Sequence, residues 1–146
     1  MHDTAVKHEG LTVVVAAAHP LLRLGIVGRL EAAGFRVVAE AANSAQVVEA
    51  VREHSPRVCL LDVWLPGGGL ESARRVQEVA PEVALAFLVS AEDKWLLVDA
   101  VRSGATGVIF KDMDPARLAH AVRDVATGGT ALPRSLVRVL LGELTA

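Results

Sequence analysis

The sequence is poor in the residues that mark several classes of protein. Its one cysteine, Cys59, lies in an apolar run, which indicates a small buried hydrophobe in a reducing, cytoplasmic setting. Aromatic residues make up only 3% of the chain, so an aliphatic core is predicted. The apolar runs are too short to span a bilayer, and residues 1–10 are too polar for a signal peptide. A net charge of −2 argues against direct nucleic-acid binding.

What the chain does have is a regular alternation of apolar runs and amphipathic segments. Its 146 residues fit one domain, and 52% of them are hydrophobic. The predicted strands are Leu11–Ala17, Phe35–Ala39, Val58–Leu61 ending in Asp62, Val83–Val89 and Gly107–Phe110. The predicted helices are Pro20–Gly34, Ala45–His54, Leu70–Val79, Asp93–Arg102 and Pro115–Ala126. Short loops between such units require parallel strands with right-handed crossovers, which predicts a doubly wound α/β domain.

Three segments follow from this pattern. Residues 1–10 are predicted to be a flexible lead-in, residues 11–130 the domain, and residues 131–146 a C-terminal linker helix. The last segment exceeds what five units need, so it either covers the domain or begins a connection to another one. In the first helix, the predicted inward face consists of Leu21, Leu24, Ile26, Val27 and Leu30.

Three strands end in polar groups that are able to act together. Asp62 ends the third strand, Ser90 follows the fourth and Lys111 follows the fifth. In open parallel sheets, ligands bind outside the carboxyl ends of the strands, so these groups stand where a site is expected. Taken alone, Asp62 is either a site residue or an ordinary strand-ending carboxylate.

Four stretches together resemble the receiver domain of two-component response regulators, closest to the NarL/FixJ type. They are AHPLLRLGI, LLDVWLPGG, FLVSAED and SGATGVIFKD, and the resemblance covers roughly residues 11–130. It implies a flavodoxin-like fold in a regulatory protein, not an enzyme. It also implies that Asp62 is the phospho-accepting aspartate, that Ser90 supplies the hydroxyl which turns towards the phosphoryl group, and that Lys111 pairs with it. An aspartyl phosphate needs such a nucleophile, cation and donor.

The sequence departs from this family where the metal should bind. Receivers carry two acidic residues just before the His-Pro found here as His19-Pro20, and Ala17 and Ala18 occupy those positions. Magnesium requires oxygen ligands, which methyl groups do not supply, so Mg²⁺ is predicted to be lost and no other cofactor is expected. Asp62 and Lys111 are then predicted to form a salt bridge in a vestigial site. Val108 also stands where many receivers carry an aromatic switch residue.

The leading prediction is an atypical receiver that acts through protein contacts without phosphorylation. One alternative is a receiver that senses a small ligand, with His19, Trp64, Glu92 and Trp95 as a rim for a ligand or partner. A second is a conventional Asp62 phosphoacceptor in which Glu92 or Asp93 replaces the missing carboxylates.

The resemblance also implies partners. Receivers of this type often associate through their first and fifth helices, so a homodimer is predicted there, and a DNA-binding output domain is expected beyond Ala146. The polar residues of those two helices are interpreted as solvated faces: Arg23, Arg29, Arg117, His120, Arg123 and Asp124.

Overall fold

A computed structural model describes residues 10–129, 131, 137, 138, 141 and 142. Five strands form one sheet: β1 (Thr12–Ala16), β2 (Arg36–Ala41), β3 (Val58–Asp62), β4 (Ala84–Val89) and β5 (Gly107–Phe110). The helices are α1 (Pro20–Ala32), α2 (Ser44–His54), α3 (Gly69–Val79), a 3₁₀ helix (Ala91–Leu96), α4 (Leu97–Arg102) and α5 (Pro115–Ala126). The strand order is β2-β1-β3-β4-β5 and every pairing is parallel, which confirms the predicted doubly wound fold.

Side-chain alternation along the strands divides the core into two layers. On β1, Val13 and Val15 pack on the side covered by α1 and α5, while Val14 and Ala16 pack on the side covered by α2, α3 and α4. Both faces of the central strands are therefore buried, as the unbroken apolar runs predict. Because all five strands are parallel, their carboxyl ends lie at one edge of this packed sheet.

Two predicted elements begin at different places. Strand β2 runs from Arg36 to Ala41, later than the predicted Phe35–Ala39, because Phe35 is buried in the α1 layer instead. The helix predicted over Asp93–Arg102 is a 3₁₀ helix followed by one and a half turns of α-helix, with Asp93 at the non-helical φ of −101°. The carboxylate of Asp93 accepts a hydrogen bond from the indole of Trp64, which lies 29 residues earlier in the sequence. Helical periodicity does not reveal such a contact.

The predicted inward face of α1 is partly wrong. Ile26, Val27 and Leu30 are buried, but Leu21 and Leu24 are 74% and 67% exposed. Only one side of the helix lies on the sheet, and the 3.6-residue period turns Leu21 and Leu24 away from it. Helix α1 therefore presents leucine side chains to solvent.

The chain after α5 returns to the edge of the sheet. Ala131 forms a parallel bridge with Gly107, and the amide of Val108 donates to the carbonyl of Ala131 at 2.7 Å. The predicted lead-in lies almost wholly outside the described residues. Of the predicted linker helix beyond Ala131, only residues 137, 138, 141 and 142 are described, and these are helical.

Candidate functional site

The last residue of β3, Asp62, is a nearly buried carboxylate with two close partners. Only 6% of the residue is exposed. The turn that follows β3 directs the amide of Trp64 at Asp62 Oδ1, 2.8 Å away, and the amide of Leu65 at the Asp62 carbonyl, 3.0 Å away. The loop after β3 therefore holds one of the two carboxylate oxygens in place.

Lys111 engages the other oxygen. It follows β5 directly, where its backbone amide donates to the carbonyl of Val89 at 3.0 Å, and its Nζ lies 2.9 Å from Asp62 Oδ2. The two side chains are 23% and 9% exposed, so the pair is largely removed from solvent. The predicted Asp62–Lys111 salt bridge is present.

Ser90 follows β4, the strand that lies between β3 and β5 in the sheet. It is half-buried and begins the 3₁₀ helix, but its side chain caps no backbone amide there. The three predicted site residues thus follow three neighbouring strands at the same edge. Val108, at the expected switch position, is buried in the core.

The end of β1 is built differently. Ala17 is fully buried, and its carbonyl accepts a hydrogen bond from Arg23 Nη1 at 2.6 Å. Arg23 Nε also donates to Glu40 Oε1 at 3.0 Å, at the end of β2. The guanidinium therefore joins the ends of β1 and β2, and it places a positive charge beside the position where receivers carry acids.

This edge does not offer the ligands that Mg²⁺ needs. Magnesium prefers six oxygens in near-octahedral geometry, usually with carboxylates among them. Within the described ranges, no three His, Cys, Asp or Glu side chains are grouped closely enough to hold a metal ion. Asp62 is hydrogen-bonded to Lys111 and Glu40 to Arg23, so each of these carboxylates already has a cationic partner.

Two tryptophans lie together beside the site, as predicted. The ring centroids of Trp64 and Trp95 are 6.2 Å apart with the ring planes at 57°, and the residues are 56% and 68% exposed. Trp64 Nε1 donates to Asp93 Oδ2 at 2.9 Å, which ties the loop after β3 to the 3₁₀ helix. Asp93 is thus bound to an indole, while Glu92 is exposed.

His19 and Arg23 have roles that sequence reasoning missed. His19 is the N-cap of α1, with Nδ1 accepting from the amide of Leu22 at 3.4 Å. Arg23 was interpreted as part of a solvated face, which is wrong, because it bridges the ends of β1 and β2. The spacing of Arg23 from the N-cap could have indicated this contact. A residue four positions after the N-cap lies on the same face of the helix as the N-cap itself, next to the end of the preceding strand.

Two ionisable groups show how the surroundings control charge. Burial raises the pKa of the Cys59 thiol, on β3, to about 12, so the thiol remains protonated and unreactive at neutral pH. On the exposed face of α3, the hydrogen bond from Arg74 lowers the pKa of the Glu71 carboxyl. Neither group lies among the strand-end residues, so neither has a part in the site.

Comparison with known proteins decides the family. Residues 13–123 match the response regulator receiver domain. The chain belongs to this family. The receiver domain shares 37% identity over 141 residues with "Probable transcriptional regulatory protein NarL" of Mycobacterium tuberculosis, covering 93% of this chain and 64% of that protein. It shares 31% identity over 142 residues with the nitrate/nitrite response regulator protein NarL of Escherichia coli K12, covering 96% and 66%.

A solved structure supports the same assignment. A two-component response regulator of the LuxR family from Aurantimonas sp. SI85-9A1 superimposes with a TM-score of 0.83 at 26% identity, covering 92% of this receiver and 98% of that chain. This chain spans just under two thirds of the length of both NarL relatives. Across the described part of the chain, none of the helices combines the length and apolarity needed to cross a membrane.

Proposed function

We propose that this receiver passes on a signal through protein contacts and does not run a Mg²⁺-dependent phosphorylation cycle at Asp62. One observation carries the proposal: at the end of β1, alanine side chains and the Arg23 guanidinium take the place of two carboxylates. In the chemistry of an aspartyl phosphate, the metal offsets charge on the phosphoryl oxygens and contributes several kcal/mol. Lys111 alone supplies one positive charge, and it is already paired.

In this proposal, Asp62 is a structural anchor. Its two oxygens hold the loop after β3 and the end of β5 together, through Trp64 and Lys111. A phosphoryl group on Asp62 would have to displace at least one of these contacts without a metal to compensate. The retained Asp62 and Lys111 are therefore assigned to the stability of this edge, and Ser90 is assigned no catalytic role.

The binding of Mg²⁺ and beryllofluoride tests the proposal directly. We expect the amide spectrum of the wild-type receiver to show no saturable shifts around Asp62 at millimolar concentrations. The matched variant carries Ala17→Asp and Ala18→Asp, which restores the two carboxylates, and it should bind Mg²⁺ measurably. Saturable binding by the wild type, or addition of one phosphoryl group after incubation with acetyl phosphate, would support the conventional phosphoacceptor instead.

We also propose a homodimer formed through α1 and α5. The exposed Leu21 and Leu24 support it, because two large apolar side chains on one helix lose unfavourable contact with water when a second copy covers them. Sedimentation over a range of concentrations should show a dimer that Leu24→Glu weakens and that Val79→Glu, at an exposed apolar position of α3, does not. A monomer mass at every concentration would remove this part of the proposal.

The receiver is further proposed to serve a transcriptional regulator with a DNA-binding domain beyond Ala146. The names of the two NarL relatives describe regulators, and both proteins are longer than this chain. Expression of the full-length gene product and a DNA-binding assay with and without the receiver test it. Equal DNA binding by both forms would contradict a regulatory role of the receiver.

A further inference from the structure

A cleft between α1 and α5 adjoins the strand-end site and shares Lys111 with it. Its volume is about 390 Å³, within the range of about 300–1,000 Å³ that small-molecule sites usually have. Side chains from both helices, from two strands and from the loop between β5 and α5 form its walls. They are Leu21, Leu22, Gly25, Ile26, Arg29, Leu88, Ile109, Phe110, Lys111, Met113, Pro115 and Leu118.

The cleft reaches the hydrophobic core. Leu88 of β4 and Ile109 of β5 belong to the buried layer of the sheet under α1 and α5, and both line the cleft. On α1, a Cβ built at Gly25 would meet no atom within 4 Å. The missing side chain at this position keeps the α1 wall open, and Leu88 and Ile109 form the buried floor of the cleft.

Among the described residues that line this cleft, two are ionisable, and both are cations: Arg29 and Lys111. Arg29 is exposed and makes no ion pair with another described residue, whereas Lys111 is bound to Asp62. An apolar wall with an unpaired guanidinium and no carboxylate favours an occupant that is both apolar and negatively charged.

The rim around the tryptophans has the opposite character. The pocket beside Trp64 has a volume of about 310 Å³, and its one ionisable lining residue is Glu71, an acid already bonded to Arg74. It is lined by the loop after β3, by the first turn of α3 and by Leu96, and no cation is among its described lining residues. Charge therefore distinguishes the two pockets, and of these two the cleft between α1 and α5 favours an anion.

We infer that the cleft between α1 and α5 is a binding site for a compact apolar anion, such as a medium-chain or aromatic carboxylate. The apolar part packs against the partly exposed Leu22, Phe110 and Met113, and the carboxylate pairs with Arg29. The inference goes beyond the proposed function and is independent of whether Asp62 accepts a phosphoryl group. Because Lys111 lines the cleft as well, a bound anion lies next to the cation that holds Asp62.

Three probes with the same chain length test the charge preference: octanoate, octanol and octylammonium, each titrated into the ¹⁵N-labelled receiver at neutral pH. We expect saturable amide shifts at the lining residues with octanoate. Octanol should bind about tenfold more weakly, the contribution of one charge-assisted hydrogen bond, and octylammonium more weakly still. Equal affinities for octanoate and octanol would overturn the assignment of an anion site.

Two pairs of variants locate the site. Arg29→Gln should reduce octanoate affinity to that of octanol, while Arg117→Gln, which removes an exposed arginine of α5 outside the cleft, should leave it unchanged. Gly25→Leu should fill the cleft and abolish binding, while Gly28→Leu should not, because Gly28 has the same open surroundings on α1 but does not line the cleft. Thermal unfolding checks that each variant is folded.

The same titrations identify the competing occupant. If the lining amides shift with protein concentration and not with octanoate, a second copy of the chain fills the cleft and the inference is wrong. Octanoate binding that persists in both Arg29→Gln and Gly25→Leu would place the anion elsewhere on the receiver and would also overturn it.

Discussion

Each half of the strand-end edge pairs a cation with a carboxylate, but the cation is an ammonium in one half and a guanidinium in the other. At β3 and β5, Lys111 meets the carboxylate that receivers phosphorylate, and the arrangement of that half is retained. At β1 and β2, Arg23 meets the carbonyl of Ala17 and the carboxylate of Glu40, where receivers carry metal-binding acids. The comparison shows that the two halves differ in composition: the β3–β5 half has the aspartate and lysine found in receivers, and the β1–β2 half has alanines in place of the two acids.

Replacing Lys111 gives the largest expected effect. Lys111→Met leaves the nearly buried Asp62 carboxylate without its cation, which should lower the free energy of unfolding by about 3 kcal/mol, typical of a broken buried pair. Urea unfolding measures it. In the double variant with Asp62→Asn the unpaired charge is gone, so much of the loss should be recovered; additive losses would show that the two side chains do not depend on each other.

The corresponding change at the other half is Arg23→Met. It removes a charged hydrogen bond to the Ala17 carbonyl and the pair with Glu40, so we expect a loss of about 1.5 kcal/mol. Arg29→Met on the same helix is the control, since Arg29 makes no ion pair with a described residue. If both variants unfold at the same urea concentration, Arg23 does not fasten the ends of β1 and β2.

The free energy of unfolding should depend on pH through Cys59, which lies where β3 pairs with β1. Cys59 on β3 lies opposite Val14 of β1, and burial raises its pKa from 9.0 to about 12. Below pH 9 the thiol is protonated in both states, so stability is constant there. Above pH 9 only the unfolded chain loses the proton, so stability should fall by about 1.4 kcal/mol at pH 10. Cys59→Ala should abolish this fall, and an equal fall in the variant would refute it.

Trp64→Phe gives the smallest effect. It keeps an aromatic ring but removes the hydrogen bond from Nε1 to Asp93, which should cost about 1 kcal/mol and increase amide exchange in the 3₁₀ helix. Trp95→Phe is the matched control, because the structure gives its ring a contact with Trp64. Equal exchange in both variants would show that the hydrogen bond does not connect the retained half to the 3₁₀ helix.

The strands and the Asp62–Lys111 pair were predictable from the sequence. Unbroken apolar runs mark buried parallel strands, and parallel strands bring their final residues to one edge. Asp62 and Lys111 have opposite charges at the ends of β3 and β5, the two strands that flank β4, and the family resemblance implies that the two side chains pair.

Two of the errors share one physical cause, which is a contact between residues far apart in the sequence. The Trp64–Asp93 hydrogen bond spans 29 residues and accompanies a 3₁₀ helix in place of the predicted first turn of α-helix. The Arg23–Glu40 pair spans 17 residues, so helical periodicity alone placed Arg23 in solvent. Leu21 and Leu24 were expected inside because their apolar character is visible in the sequence, whereas the width of the surface that α1 covers is not.

The bridge between Ala131 and Gly107 connects the strand-end edge to the outgoing chain. Strand β5 carries Lys111 at one end and, four residues earlier, holds Ala131 through the bridge at Gly107. At about 3.3 Å per residue, roughly 13 Å of stiff strand separates the two points. One strand therefore sets two positions at once, that of the Lys111 backbone at its carboxyl end and that of the segment after α5 at its amino end.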